Sequence, residues 1–178
     1  LPAGPCHLVI ERPETFDITL NGIPLRADED EGWWIDTSFR KIRVLPWFFT
    51  QGPNELVLTT NYGPASGLEA LYLTGEFGFK WNGTTPVMTA APASLALGDW
   101  VPQGLACYTG AVTYCTEFAP SSAQGERVFV TLPGWQGVLA RIRVNGVQCG
   151  CLAWAPFEAD VTDALTPGAN KLEIEIVS

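Results

Sequence analysis

The feature that most constrains this chain is that one series of residues occurs in it twice. Ile18-Thr19-Leu20-Asn21-Gly22 is matched by Ile142-Arg143-Val144-Asn145-Gly146, and Asp36 is matched by Asp160 at the same offset. Further on, the run Gly52 to Leu58 (GPNELVL) is matched by the run Gly168 to Ile174 (GANKLEI). In each copy a strand of period two runs into Asn-Gly, the dipeptide that most strongly signals a tight hairpin, because it supplies positive φ at two successive positions at low cost. Each copy therefore predicts strand, reversal, loop, capped turn, reversal and strand. Asn21, Gly22, Asn145 and Gly146 are read as turn residues, and Asp36 and Asp160 as Asx-type caps of the turns they open.

The rest of the chain fits this grammar. His7 to Ile10 is a short apolar strand, Glu11 to Glu14 a turn, and Phe16 to Leu20 an alternating strand. With 18 Gly, 14 Pro and 47% apolar residues in 178, turn signals are as frequent as an all-β chain needs and a substantial core can be buried. The second copy is preceded by an alternating strand, Tyr108 to Phe118, that has no counterpart before Leu1. The first copy is thus expected to lack its N-terminal strand, or to borrow one. Leu68 to Leu73 and Glu76 to Lys80 read as the closing strands of copy one. Between the copies, Trp81 to Leu97 is small, proline-bearing and without a strong period. The expected organisation is residues 1–80 as copy one, 81–97 as linker and 98–178 as copy two.

Charge and composition exclude several partners. The net charge is −9, with ten Lys plus Arg and no run of them, so a phosphate backbone or an anionic lipid surface would be repelled on average. Neither nucleic acid nor membrane is expected as a partner. No apolar run approaches a membrane span, and the Leu1-Pro2-Ala3-Gly4 start is neither a signal peptide nor an initiator Met, so the chain reads as a piece of a longer protein. The five cysteines are odd in number and lack framework spacing, and with a single histidine, His7, no metal set is expected. They are read as five buried or half-buried free thiols, which points to a cytoplasmic rather than a secreted setting.

Taken in order, the VNG turn, Trp154-Ala155-Pro156-Phe157, Asp160-Val161-Thr162-Asp163-Ala164-Leu165 and the Pro167 to Ile174 run resemble the galactose-binding-like β-sandwich of glycoside hydrolases. They are similar in particular to sugar-binding domains of family-two enzymes and to rhamnosidase-type hydrolases. Trp100, Gln103, Gly104, Tyr108 and Gly110 resemble the start of rhamnosidase-like C-terminal domains, although Cys107 and Cys115 stand where an aromatic and an arginine are expected. The resemblance implies two tandem galactose-binding-like, jelly-roll β-sandwich domains, and a sugar-binding or accessory role beside a catalytic domain of the same parent chain.

The residues themselves argue against an isolated enzyme. A glycosidase needs two carboxyls flanking a bond, one with a raised pKa, and none of the 19 acids is singled out by position. Asp28 to Glu31 read as a solvated loop run. A nucleophilic triad needs a histidine base, and His7 has no such company. No catalytic residue, metal or cofactor is expected. Carbohydrate is the candidate ligand, because a pyranose stacks its C–H faces on aromatic rings while its hydroxyls need polar partners. Of seven tryptophans, Trp33 aligns with Phe157 and is expected in the core, whereas Trp34, Trp47, Trp135 and Trp154 fall in or beside loops. The first choice of site is Trp154 with Glu158, followed by Trp135 and Trp34. The alternative is a purely structural spacer without sugar affinity.

Overall fold

A computed structural model describes residues 1–64, 66–121 and 125–178. The chain divides into two compact units, Leu1–Cys107 and Tyr108–Ser178. Both are all-β: strands form antiparallel sheets, and the helical residues described are three single 3-10 turns, at Pro13–Thr15, Pro46–Phe48 and Thr162–Ala164.

Unit 1 contains β1 (Cys6–Glu11), β2 (Asp17–Leu20), β3 (Ile23–Leu25), β4 (Asp30–Trp34), β5 (Asp36–Val44), β6 (Leu56–Thr59), β7 (Tyr72–Gly75), β8 (Gly78–Asn82) and β9 (Thr85–Thr89). One sheet has the order β4-β5-β1-β7, a second β3-β2-β6, and β8 and β9 form a separate hairpin. The first two sheets share a core. Cys6, Leu8 and Ile10 of β1 and Ile42 and Val44 of β5 meet Ile18 and Leu20 of β2, Leu25 of β3, and Phe48 and Phe49. Each large apolar side chain removed from water here contributes about 1.5–3 kcal/mol. Packing is close enough that a Cβ on Gly75 of β7 would lie 2.8 Å from the Cys6 sulfur. Residues 81–97, expected as a linker, hold the end of β8 and all of β9, and Gly83-Thr84 makes their turn, with Gly83 at φ 62°.

Unit 2 contains β10 (Ala111–Phe118), β11 (Phe129–Thr131), β12 (Leu139–Val144), β13 (Val147–Leu152), β14 (Glu158–Asp160) and β15 (Asn170–Val177). One sheet has the order β10-β15-β12-β13, and β11 pairs with β14. Ala140, Ile142 and Val144 of β12, Leu152, Ile176, Ala159 and Val161 are buried. A Cβ on Gly150 would meet that of Ala159 at 2.8 Å, which shows how closely β13 and β14 approach.

The thiols differ from expectation. Cys6 is buried, and burial raises its pKa, but Cys107, Cys115 and Cys151 are exposed and Cys149 is half-buried; all five are free. Cys115 lies opposite Glu173 and Cys151 opposite Arg141, among the polar residues of their strands, so the alternation that buries their neighbours exposes them.

Candidate functional site

The repeated residues form a duplicated polar clasp. Asn21 (φ 52°) and Gly22 (φ 76°), like Asn145 (φ 51°) and Gly146 (φ 81°), are both left-handed, as a type I′ turn requires. The asparagine side chain then reaches across the sheet. Asn21 Nδ2 donates to Phe48 O and to Asn54 Oδ1, both at 2.8 Å, and its Oδ1 accepts from Glu55 N at 2.9 Å. Asn145 repeats this with Ala164 O (2.9 Å), Asn170 Oδ1 (2.8 Å) and Lys171 N (3.0 Å). Asn54 in turn closes its own loop, accepting from Thr50 N and donating to Thr50 O and Gly52 O, and Asn170 does the same with Thr166 N, Thr166 O and Gly168 O. These asparagines are scaffold, holding turn, 3-10 turn and last strand together.

Asp36 and Asp160 both act as caps, but not at equivalent places. Asp36 Oδ1 accepts from Ser38 N and Oγ at 2.8 Å, and Asp160 Oδ1 accepts from Thr162 N (3.0 Å) and Oγ1 (2.6 Å). Asp160 immediately precedes the 3-10 turn that Asn145 grips. Asp36 opens β5, a strand of nine residues whose far end leads to the corresponding turn at Pro46–Phe48. Equal spacing thus coincided with different topology. Hydrogen bonds from Ser38 hold the Asp36 carboxyl below its usual range, and those from Thr162, with the adjacent Arg127, do so for Asp160.

The acidic run is paired rather than simply solvated. Arg26 meets Asp28 at 2.7 Å, Arg40 Nε meets Asp30 at 2.6 Å, and His7 Nε2 meets Glu31 at 2.7 Å. The carboxyls with a resolved displacement are Asp28, Glu31, Asp36, Asp160 and Glu175, and all are held down, each chiefly by a hydrogen bond to its charged form. None has the raised pKa of a general acid.

Trp154 lies in the loop between β13 and β14 with 79% of its surface exposed. The loop is anchored by its other aromatic: Phe157 meets Trp135 edge to face, centroids 5.5 Å apart at 90°. Trp135 is half-buried, and its Nε1 is buried without a hydrogen-bond partner among the described residues. Glu158 opens β14 as an exposed side chain opposite Thr131. Trp135 therefore braces the loop, while Trp154 and Glu158 face solvent.

Trp34 belongs to unit 1 and to a different group. Its ring lies 5.0 Å from that of Tyr72, which also takes Phe39 edge-on at 5.7 Å. Tyr72 and Lys41 flank Val9, which is fully buried although it points away from the core of Leu8 and Ile10. Beyond this cluster the β4–β5 turn exposes Trp33 (54%) and Ile35 (73%). Trp33 is thus not a core residue, because the chain reverses immediately after it, at Ile35 with φ 62°. Tyr72 and Phe39 were not foreseen as partners of Trp34; strand register brings them together, and no local motif marks it.

Two open concavities border Thr15, Phe16, Thr60 and Asn61, and none of Trp34, Trp135, Trp154 or Glu158 lines either. The aromatic surfaces are platforms, not pockets. Among the described residues no group of His, Cys, Asp and Glu could hold a metal ion, and no helix is long and apolar enough to cross a membrane.

No family model and no curated protein matches the chain. Among solved structures it is similar to a rhamnosidase from Novosphingobium sp. PP1Y, at 20% identity and a TM-score of 0.39. The match covers 100% of this chain, which spans 16% of the length of that rhamnosidase.

Proposed function

We propose that this chain is a non-catalytic accessory region of a larger glycoside hydrolase, and that its second unit contacts carbohydrate through Trp154, with Glu158 as acceptor for sugar hydroxyls. The observation that carries this reading is the anchored loop: Phe157 and Trp135 fix its base while the Trp154 ring stays 79% exposed. An exposed indole on a loop whose base is packed can stack on the apolar face of a pyranose. The ordered motifs from Trp100 to Val177 support the same class. The five free thiols suit a reducing compartment.

The test is calorimetric titration of the chain with rhamnose, galactose and glucuronate oligosaccharides, with Trp154→Ala as control. Saturable binding weakened at least about tenfold by the substitution is expected. The alternative is a structural spacer without sugar affinity, docked to a catalytic domain through the apolar turn carrying Trp33 and Ile35, both more than half exposed. Absence of binding across the panel selects it.

A further inference from the structure

We propose that the outer edge of β6 is a docking site for an extended polypeptide segment, which adds to unit 1 as a strand antiparallel to β6, with the side-chain pattern that β10 has in unit 2. The proposal does not depend on carbohydrate binding. It rests on comparing the two units where their bonds make them equivalent.

The clasp fixes that equivalence. Asn54 and Asn170 make the same bonds, so Leu56, Val57 and Leu58 of β6 correspond to Leu172, Glu173 and Ile174 of β15. In both units this strand pairs on one side with the strand that enters the Asn-Gly turn, β2 or β12. In unit 2 its other side pairs with β10 along eight residues, Tyr114 lying opposite Ile174 and Thr116 opposite Leu172. In unit 1 the order ends at β6, and no strand among the described residues pairs with its other side.

Hydrogen-bond alternation shows which groups that edge presents. Asn21 N donates to Glu55 O, so Thr19 with Val57 and Asp17 with Thr59 are the pairs bonded across to β2. The N–H and C=O of Leu56 and Leu58 therefore point outward. In unit 2, Ser178 N donates to Gly110 O, and the same alternation places the outward groups of Leu172 and Ile174 in bonds with Thr116 and Tyr114. Unit 1 thus carries the acceptor half of an interaction whose completed form stands in unit 2. Leu56 and Leu58 are half-buried and pack on the core, so the inner face of the incoming strand continues an apolar layer. Such strand addition draws affinity from main-chain bonds and specificity from alternate side chains. The matching occupant has a branched or aromatic residue opposite Leu58, as Tyr114 is opposite Ile174, and polar residues on its outer face.

The probe is a synthetic peptide of the sequence Ala111 to Phe118 with Ser in place of Cys115, added to the full chain and followed by amide hydrogen exchange. The expected result is saturable binding that slows exchange at Leu56 and Leu58 by about tenfold or more. The Leu58→Pro substitution removes one outward donor without touching a bond to β2, and should weaken binding at least several-fold. A peptide N-methylated at the residue corresponding to Tyr114 removes the reciprocal bond, from the peptide N–H to Leu58 O, without altering the protein, and should also bind at least several-fold more weakly. The proposal is overturned if the peptide leaves Leu56 and Leu58 exchange unchanged, or if the N-methylated peptide binds as well as the parent. It is also overturned if the chain self-associates with Leu56 and Leu58 protected before peptide is added, since the occupant is then a second copy.

Discussion

Replacing Asn170 by Ala should cost unit 2 far more than replacing Asn54 by Ala costs unit 1, although the two side chains make nearly the same bonds. Asn170 is 1% exposed. Its Oδ1 accepts from Asn145 Nδ2, Thr166 N and Thr166 Oγ1, and its Nδ2 donates to Thr166 O and Gly168 O. Truncation strands these partners around a buried site, where each unsatisfied group costs about 1–3 kcal/mol. Thr166 and Gly168 are themselves exposed and water recovers part of the loss, which leaves an expected destabilisation of about 2–4 kcal/mol. Asn54 is exposed, so water replaces its bonds, and the cost falls to about 1 kcal/mol, the net worth of ordinary hydrogen bonds. The two units need not unfold together, so native-state hydrogen exchange in β12 and β15 against β2 and β6 is the suitable assay, with urea melts beside it. Equal losses in the two units, or a larger loss for Asn54→Ala, would refute the argument that burial rather than bond count sets the cost.

Two further outcomes follow from local geometry. Ile35 is β-branched, 73% exposed and held at φ 62°, so Ile35→Asn relieves left-handed strain without uncovering a core and should stabilise unit 1 by about 0.5–1 kcal/mol in a urea melt. Asp160 has its pKa lowered by Thr162 and Arg127, so its contribution to stability is fully present above the unfolded value of about 3.9 and is lost as pH falls through the lower folded value. Asp160→Asn should flatten that acid limb in unit 2, and an unchanged pH profile would contradict the assignment.

Much of the architecture was legible because its signals are local. Asn-Gly after a period-two run announces a hairpin, and both copies obey. Between β8 and β9, in a stretch whose composition suggests only a linker, the turn falls one residue on, at Gly83-Thr84, with Asn82 the last residue of β8. The repeat itself was visible because turn chemistry tolerates few residue types. What spacing could not encode was path length in three dimensions. Asp36 and Asp160 stand at one offset from their hairpins, yet β5 spends nine residues where β14 spends three, so the two aspartates cap different bends. Trp33 departs from its expected core position for the same reason: alignment with Phe157 implies a common path, and the reversal at Ile35 carries Trp33 into solvent. The candidate site was legible as residue types on loops. The brace of Trp135 on Phe157, and the grouping of Trp34 with Tyr72 and Phe39, depend on register between segments distant in the chain.

The duplicated clasp bears on how such a chain can diverge. Asn21 with Asn54, and Asn145 with Asn170, each close their unit using groups from that unit alone. A clasp of that kind constrains the few residues that form it and leaves the loops and strands outside it open to difference. The two copies differ in this way: the same few amides recur almost bond for bond, while one copy has a long strand with an aromatic crest and the other a proline-bearing loop that exposes a single indole. What the two units share is the polar lock, and what tells them apart is the chain strung between its bonds.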